Sequence, residues 1–364
     1  MRLNEIARES KSTFKGDKTD LPIVGLEHLI PGELTLTEYD VNTKNTFTKF
    51  FRKGQVLFGR RRAYLKKASL AEFDGVCSGD IIVIEPIEGK VYPDLLPFII
   101  QNDRFFAYAV SKSAGGLSPR VKWQDIADYE LSLPSLSAQR ELSKKLWAAY
   151  RLKESYKKLL LATRDMVKSQ FIEMFYGKDY PEAMIKSFAD ITTGSTPSKS
   201  HPEFWGGNNP WVSAEDMKDK NVYDTSEKLT DIGYAKCKPI PVNTLMYVCR
   251  GSIGVMAINK IECATNQSIC RATCKEGVCN VEYLYHALMY QKDTIKKIGT
   301  GTSFKSLNQT TFSELKIILP PYSAQMQFVS IADQADKSEF DGLKLEYELE
   351  LLIEGNKFSD KEFD

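Results

Sequence analysis

The chain of 364 residues is long enough for two domains of ordinary size. Its 49 Lys and Arg residues almost balance its 48 Asp and Glu residues, so any nucleic-acid contact would have to come from local basic patches. The sequence has no apolar run long enough to span a membrane and no apolar secretion signal after Met1. Seven cysteines without a regular framework favour a reducing, cytoplasmic location over a secreted disulfide scaffold.

The first 134 residues predict a domain that mixes strands and helices. Residues 77–85 (CSGDIIVIE) form a β-branched apolar run bounded by turn residues, which is typical of a buried strand. The other predicted elements are a turn and strand at 50–58, helical pieces at 94–102 and 104–111, a loop at 115–116 and a short strand at 129–133.

Residues 135–176 predict one long helix, because Gly and Pro are absent and charged residues fill the face opposite an apolar stripe. The residues of this stripe are spaced three and four apart: Leu142, Leu146, Ala149, Leu152, Tyr156, Leu159, Thr163, Val167, Phe171 and Met174. At ~1.5 Å per residue the helix would be roughly 60 Å long, too long for one small core to cover. The stripe therefore predicts a second long helix beside it, the alternative being an ordinary buried helix of an α/β domain.

The second half predicts another mixed domain followed by another long helix. Residues 192–209 are dense in Gly, Pro, Ser and Thr, which is typical of a surface loop. Residues 245–248 and 253–258 favour strands, and residues 281–290 favour a helix. Residues 323–355 predict the second long helix, whose apolar stripe runs through Phe328, Ile331, Ala335, Leu345, Leu349 and Leu352.

An internal repeat relates the two halves. Each half ends in the same pattern, Leu-Pro-(x)3-Ala-Gln, at residues 133–139 and 319–325, directly before its long helix. The same spacing places Gly115 on Gly301, and a similar spacing places residues 54–58 on 243–247 and Arg61 on Arg250. The repeat predicts an α+β protein of two mixed heads, joined and separated by two long helices that pack as an antiparallel coiled coil under a pseudo-twofold axis.

Several stretches of the sequence match the pattern of one known family. In the second half these are Gly194-Ser195-Thr196-Pro197, Phe204-Trp205 with Gly207, Pro210-Trp211-Val212, Arg250-Gly251-Ser252-Ile253-Gly254, Gly299-Thr300-Gly301-Thr302-Ser303 and Leu307-Asn308. With the two Leu-Pro-(x)3-Ala-Gln endings, they make the chain resemble the specificity subunit of a type I restriction-modification system. The first half lacks the Gly-Ser-Thr-Pro loop.

The resemblance implies two target-recognition domains, each of which reads one half of a split DNA sequence. It also implies that the paired helices set the gap between the halves and dock DNA adenine methyltransferase subunits, with restriction and translocation subunits in complete systems that defend against foreign DNA. On this basis we expect an N-terminal recognition domain at 1–134, a spacer helix at 135–177, a C-terminal recognition domain at 178–320, and a second spacer helix and tail at 321–364. The residues expected to form the spacer and docking helices are Leu142, Leu146, Leu152, Tyr156, Leu159, Val167, Phe171, Phe328, Ile331, Leu345 and Leu349.

Candidate DNA-binding residues are basic or amide side chains in loops. Arginine suits phosphates and guanine edges, and Asn and Gln can pair with adenine. The predicted set is Arg60, Arg61, Arg62, Lys66, Arg120, Lys122, Ser195, Thr196, Lys199, Arg250, Ser303, Lys305, Asn308 and Gln309. Trp205 and Trp211 are expected to pack within the fold rather than to stack on bases.

No catalytic or metal-binding pattern accompanies these residues. The cysteines at 263, 270, 274 and 279 lack CxxC spacing, and the three histidines have no nucleophile beside them. Asn209-Pro210-Trp211 lacks the second Pro of the methyltransferase motif, and no nucleotide-binding loop is present. We expect a non-catalytic subunit that binds no cofactor, S-adenosylmethionine being used by the partner. The alternatives are a coiled-coil protein-interaction scaffold and the recognition part of a fused methyltransferase.

Overall fold

The computed structural model describes residues 1–298 and 307–354. Two compact units divide the chain: the first comprises residues 1–158 together with the segment from Gly342, and the second comprises residues 159–341. The recognition-domain limits expected at 134, 177 and 320 stay predictions. None of the helices in the described ranges is both long enough and apolar enough to cross a membrane.

The first unit contains a four-stranded antiparallel sheet and a smaller three-stranded sheet, whose strands interleave along the chain. Its strands are β1 (Ala7–Glu9), β2 (Ile23–Val24), β3 (Lys49–Phe51), β4 (Val56–Gly59), β5 (Ala68–Leu70), β6 (Gly75–Cys77) and β7 (Ile81–Pro86). Its helices are α1 (Leu96–Gln101), α2 (Asp103–Ser111), α3 (Trp123–Ile126) and the first part of α4 (Leu136–Phe175). The larger sheet has the order β1-β7-β4-β5 and the smaller one the order β2-β6-β3.

The core of the first unit forms where the sheet meets α1 and α2. Every residue of β4 is buried, and its Phe58 packs against Phe105 and Phe106 of α2 at ring-centroid distances of 5.5 and 5.7 Å. Leu146 and Tyr150 of α4 belong to the same apolar cluster. The apolar residues of the sequence therefore hold the beginning of the long helix on the first unit.

The second unit contains the remaining elements. Its strands are β8 (Glu182–Met184), β9 (Ala189–Thr193), β10 (Trp205–Val212), β11 (Asn221–Val222), β12 (Glu227–Leu229), β13 (Leu245–Val248), β14 (Met256–Asn259), β15 (Ala264–Thr265), β16 (Ile269–Cys274) and β17 (Lys316–Ile318). Its helices are α5 (Ile185–Phe188), α6 (Asp231–Tyr234), α7 (Val281–Tyr290), α8 (Lys292–Ile298), α9 (Gln309–Ser313) and the first part of α10 (Tyr322–Glu354). The sheets have the orders β11-β14-β13-β16-β9, β12-β10-β15 and β17-β8.

The two units share strand order and register, which confirms the predicted repeat. In the first unit Val56 pairs with Ile84 on one side and Leu70 on the other. In the second unit Leu245 pairs in the same way with Ala272 and Ile258.

The repeat also includes a parallel strand pair that the sequence analysis missed. Ile23 pairs with Val76 in the first unit, and Trp211 pairs with Ala264 in the second. The signal in the sequence is Pro-x-Val, at Pro22 and again at Pro210, each followed by a short 3₁₀ turn.

The Leu-Pro-(x)3-Ala-Gln motif has the same structural role in both units. The amide of Gln139 accepts a hydrogen bond from the Tyr92 N–H and donates to the Pro134 carbonyl, each at 2.9 Å. Gln325 accepts from the Asn280 N–H and donates to the Pro320 carbonyl, again at 2.9 Å. Because both side chains are buried, the motif ties each unit to the first turn of its own long helix.

Three of the sequence-based element predictions in the heads need correction. The strand predicted at 77–85 is two strands, β6 and β7, because Ser78 caps a turn by accepting a hydrogen bond from Asp80. No strand forms at 129–133, where Glu130 makes only an isolated bridge to Arg2. The loop predicted at 192–209 ends early, since β10 begins at Trp205.

The two long helices are present, at Leu136–Phe175 and Tyr322–Glu354. Among the predicted spacer residues, Leu146, Val167, Phe171 and Phe328 are buried, whereas Leu142, Tyr156, Ile331, Leu345 and Leu349 are half-buried. Leu152 and Leu159 are exposed, at 44% and 56%, so the described part of the chain does not bury the stripe through them, and their expected spacer and docking role stays a prediction. The buried positions Gln139, Ser143, Leu146, Tyr150, Lys153, Leu160 and Val167 instead follow the 3.5-residue period of a coiled-coil seam.

The two long helices contact each other within the second unit. The Phe328 ring lies 5.1 Å from Phe171 and 5.7 Å from Phe175, and Tyr283 of α7 packs on the same cluster. These four rings join the last turns of α4, the beginning of α10 and the head in one core. Pairing along the whole length of the helices stays a prediction.

Candidate nucleic-acid interface

The basic cluster of the first unit forms where β4 ends. Arg60, Arg61 and Arg62 follow the last residue of that strand, Gly59, which pairs with Ile81 at the beginning of β7. The antiparallel register places Asp80 beside them, and the Arg60 N–H donates to the Asp80 carbonyl at 2.9 Å. The side chains of the cluster are therefore positioned by the central strand pair.

Asp80 brings two of the predicted arginines together. Arg120 donates to both of its carboxylate oxygens, from Nε at 2.8 Å and from Nη2 at 3.2 Å, and Nη1 of Arg61 lies 3.8 Å away. The hydrogen bond from Arg120 holds the pKa of Asp80 below its ordinary value, against the smaller opposing effect of burial. Both guanidiniums stay more than two-fifths exposed, so they can still meet a ligand.

A glycine-containing loop between Ala114 and Arg120 projects from this cluster into solvent. Ala114 and Arg120 exchange two backbone hydrogen bonds of 2.9 Å, which close the loop at its base. Gly115 has φ of +114°, a conformation that side chains rarely adopt. Leu117, at the tip, is 98% exposed.

The other predicted basic residues of the first unit lie around the cluster in different environments. Arg62 is exposed and adopts a left-handed backbone conformation, with φ of +54°. Lys66 donates to Asp103 at 2.6 Å, so part of its charge is compensated. Lys122 is exposed at the beginning of α3.

The loop after β9 in the second unit folds onto two tryptophans. The Ser195 N–H donates to the Thr265 carbonyl at 2.9 Å, and the Trp211 indole donates to the Ser195 carbonyl at 3.1 Å. Trp211 is buried and its ring lies 5.0 Å from Trp205, edge to face. These contacts agree with the packing role expected of the tryptophans.

The polar side chains of this loop are already engaged within the fold. Thr196 donates to Gln267, and Lys199 forms an ion pair with Glu227. The Lys199 ammonium also lies 3.7 Å from the centre of the Trp205 ring. A DNA contact by Lys199 would therefore have to replace an ion pair and a cation–π contact.

The remaining candidates of the second unit differ in their freedom to bind. Arg250 is exposed in the turn after β13. Asn308 instead caps α9 by accepting from the Thr311 N–H at 2.8 Å, and Gln309 donates to the Ile191 carbonyl at 2.8 Å. Ser303 and Lys305, also predicted to bind DNA, lie outside the described residues.

The sequence analysis missed Asp80 and Ser118, which organise the arginine cluster. Ser118 accepts a hydrogen bond of 2.5 Å from Nε of Arg61. The usable signal for Asp80 was the turn Ser78-Gly79-Asp80, which was absorbed into a predicted strand. No signal in the chain order pointed to Ser118.

The cysteines and histidines form no metal-binding cluster in the part of the chain that the structure describes. All seven cysteines are free, and no group of three or more potential metal ligands exists among the described residues. The half-buried His286 packs against Phe328 with its Nε2 atom enclosed, and the resulting desolvation lowers its pKa to about 3. It therefore stays neutral in the folded chain near pH 7.

The long helix α4 presents a second apolar face to solvent. Leu152, Leu159 and Met166 lie seven residues apart and are exposed by 44%, 56% and 46%. Leu161, which is 62% exposed, lies on the opposite side of the helix, because two residues turn an α-helix by about 200°. Side chains seven residues apart, by contrast, share one side of a helix, so the exposed face is continuous.

Comparison with protein families finds a match in the second half. The family described as the type I restriction modification DNA specificity domain matches residues 178–351. The type I restriction enzyme MjaIX specificity subunit of Methanocaldococcus jannaschii is 29% identical over 166 residues, covering 44% of this chain and 38% of that protein. The HindI specificity subunit of Haemophilus influenzae is 28% identical over 179 residues, covering 46% and 39%. The matches thus span about two-fifths of the length of these curated relatives.

The fold is similar to a solved structure over both units. The crystal structure of a type I restriction-modification system S subunit from M. genitalium covers 100% of this chain and 96% of its own, with a TM-score of 0.68 and 12% identity. The domain match, the related sequences and the duplicated fold agree with one another. Residues 178–351 thus match the type I restriction modification DNA specificity domain, and the fold is similar to that of a solved type I restriction-modification S subunit.

Proposed function

We propose that this chain is the non-catalytic, DNA-reading subunit of a type I restriction-modification complex. It binds double-stranded DNA at a split target and directs adenine methylation and restriction by its partner subunits. The observation that carries the proposal is the duplicated head, in which Arg61 and Arg250 follow corresponding central strands, β4 and β13. Two such heads on one chain suit two half-sites, because each can present its own loops to a groove.

The long helix supports the split character of the target. Its 40 residues rise ~1.5 Å each, which gives a rod of roughly 60 Å. One turn of duplex DNA advances 34–36 Å, so a spacer of this length suits half-sites about one turn apart. The gap in the target is then a property of the helices, and the bases are a property of the heads.

The exposed apolar face of α4 supports a protein partner. Leu152, Leu159 and Met166 would be covered by the methyltransferase subunit, which supplies S-adenosylmethionine and flips the adenine. Restriction and translocation subunits would join the same complex. The chain itself is proposed to bind no cofactor.

Mapping adenine methylation across a genome tests this function. Cells that produce the chain together with its neighbouring methyltransferase should show a methylated, two-part motif with a fixed gap. The motif should disappear when the chain is omitted and the methyltransferase is kept. Methylation that is independent of the chain would contradict the proposal and favour a protein-interaction scaffold.

A further inference from the structure

Leu117 is the most exposed of the large apolar side chains in the described part of the chain. It lies at the tip of the loop from Ala114 to Arg120, here called the 114–120 loop. A single exposed leucine is ordinary on a protein surface. What sets this one apart is the structure that carries it and the charge around it.

The base of the 114–120 loop is held from three sides. Ala114 and Arg120 close it with their paired backbone hydrogen bonds. The Arg62 N–H donates to the Pro119 carbonyl at 2.8 Å, and the Arg61 side chain donates to Ser118. The loop therefore offers Leu117 to solvent from an anchored position.

The surroundings of this tip are cationic. Arg61 and Arg120 share the single carboxylate of Asp80, and Arg62 is exposed beside them. Arg120 uses only two of its five N–H groups on Asp80, so donors remain for a ligand. An apolar tip between guanidiniums is complementary to duplex DNA, whose phosphates carry negative charge and whose grooves expose apolar base surfaces such as the thymine methyl.

The second unit lacks the carboxylate at the corresponding place. There the Cys249 N–H donates to the Ser268 carbonyl at 2.8 Å, as the Arg60 N–H does to that of Asp80. The Leu307 N–H donates to the Cys249 carbonyl just as the Val121 N–H donates to that of Arg60. Ser268 thus replaces Asp80, and Cys249 replaces Arg60. The two heads differ where the first one organises its arginines.

We propose that the 114–120 loop is the base-contacting element of the first unit, with Leu117 in apolar contact with the bases and Asp80 as a positioning residue for Arg61 and Arg120. The inference rests on the proposed DNA-reading function and adds Leu117, Ser118 and Asp80 to its site. Because Ser268 stands in the place of Asp80, the second unit does not repeat this carboxylate at the corresponding position.

The test measures binding of the assembled methyltransferase complex to three duplexes. One carries the methylated motif found by genome mapping, and each of the others has one half-site scrambled. To identify the half-site that the first unit reads, residues 1–134 are exchanged for the corresponding segment of a related chain. The half-site that changes in the methylated motif belongs to the first unit. Leu117→Ser should weaken binding to the intact target by about tenfold and leave binding to the duplex without that half-site unchanged. Val41→Ser, at another exposed position of the first unit, should change neither.

Asp80→Asn separates positioning from simple electrostatics. Removing a negative charge strengthens general binding to DNA, so both scrambled and intact duplexes should gain from charge alone. If Asp80 positions the arginines, the preference for the intact over the scrambled first half-site should fall by about tenfold. Glu88→Gln removes the same charge from another exposed position of the unit and should keep the preference.

Unchanged target binding by Leu117→Ser would overturn the proposal, and so would Asp80→Asn behaving like Glu88→Gln. Because Leu117 is almost fully exposed, its replacement should leave the melting temperature unchanged, and this variant decides alone if Asp80→Asn fails to fold. A wild-type complex without any preference for the motif would instead contradict the proposed function.

Discussion

Polar side chains of this molecule illustrate how the fold decides which of them stay available to a ligand. Asn308 and Gln309, both amide candidates for adenine, are bonded to Thr311 and Ile191. Arg271 was never a candidate, yet its guanidinium is fully buried and donates to Thr192, Thr193 and Lys238. Arg250, by contrast, is exposed. The availability of each side chain depends on the neighbours that the fold supplies.

His286 should make the second unit sensitive to mild acid. Burial lowers its pKa to about 3. Below pH 6.5 this histidine is therefore protonated in the unfolded chain but stays neutral in the folded chain. Stability is complete above pH 6.5 and should fall by up to about 1.4 kcal/mol per pH unit between pH 6.5 and 3. His286→Leu should flatten this slope in urea unfolding followed by tryptophan fluorescence at pH 7, 6 and 5.

His201 provides the matched control, because its side chain is 54% exposed. His201→Leu should keep the pH dependence of the wild type. An equal slope for wild type and His286→Leu would show that other groups cause the acid sensitivity.

At the scale of the element, the long helix shows why a stripe in a sequence does not say which face is buried. The predicted stripe and the observed seam share Leu146 and Val167 at the two ends. Between them, Lys153 and Leu160 are buried where Leu152 and Leu159 were expected. A 3.6-residue and a 3.5-residue period diverge along a helix of this length. The middle of the helix therefore has apolar residues on two faces, and one of these faces is exposed to solvent.

The repeated glutamine, Gln139 and Gln325, should contribute measurably to the unfolding free energy by fixing each head to its long helix. Gln139→Leu keeps the volume of the side chain but removes the partner of the half-buried Tyr92 N–H and of the Pro134 carbonyl. The expected loss is about 1–3 kcal/mol of unfolding free energy in the first unit, and Gln325→Leu should cost the second unit a similar amount. Denaturant unfolding measures both.

Exposed Gln124 is the control for these variants. Gln124→Leu should change the unfolding free energy by less than about 0.5 kcal/mol. If Gln139→Leu were as stable as Gln124→Leu, the motif would not join the helix to the head.

For the whole molecule, the proposed function would let the repeat separate two properties of the DNA target, its bases and its gap. The strand order β1-β7-β4-β5 recurs as β9-β16-β13-β14, so each head has its own sheet and its own loops. The helices repeat with the heads. Under the proposed function, a chain built in this way would change a half-site without changing the gap, and the gap without changing a half-site.

Lengthening both long helices tests this separation. One heptad inserted into the middle of α4 and one into α10 add about 10.5 Å to each, which corresponds to about three base pairs of 3.4 Å. The methylated motif should keep both half-sites and gain about three base pairs between them, as read by genome-wide adenine methylation. A three-residue insertion breaks the heptad register and should abolish methylation. An unchanged gap after the heptad insertion would contradict a spacer role for the helices.

The sequence by itself determined the two long helices, the duplication and the resemblance to a known family, because these depend on local periodicity and on motifs that recur in order. Leu-Pro-(x)3-Ala-Gln could be found without any coordinates, although its hydrogen bonds could not. The strand at Leu245–Val248 and the helix at Val281–Tyr290 were also predictable, since both are rich in apolar residues over their whole length.

Only the tertiary structure decided which side chains meet. Asp80, Arg61 and Arg120 are brought together by strand register and by a loop far along the chain, and no local pattern encodes that distance. The same holds for Lys199, whose charge is taken up by Glu227 across the loop. Periodicity acts between near neighbours in the chain, whereas a binding site depends on residues that are distant in the chain and become close only when the sheets form.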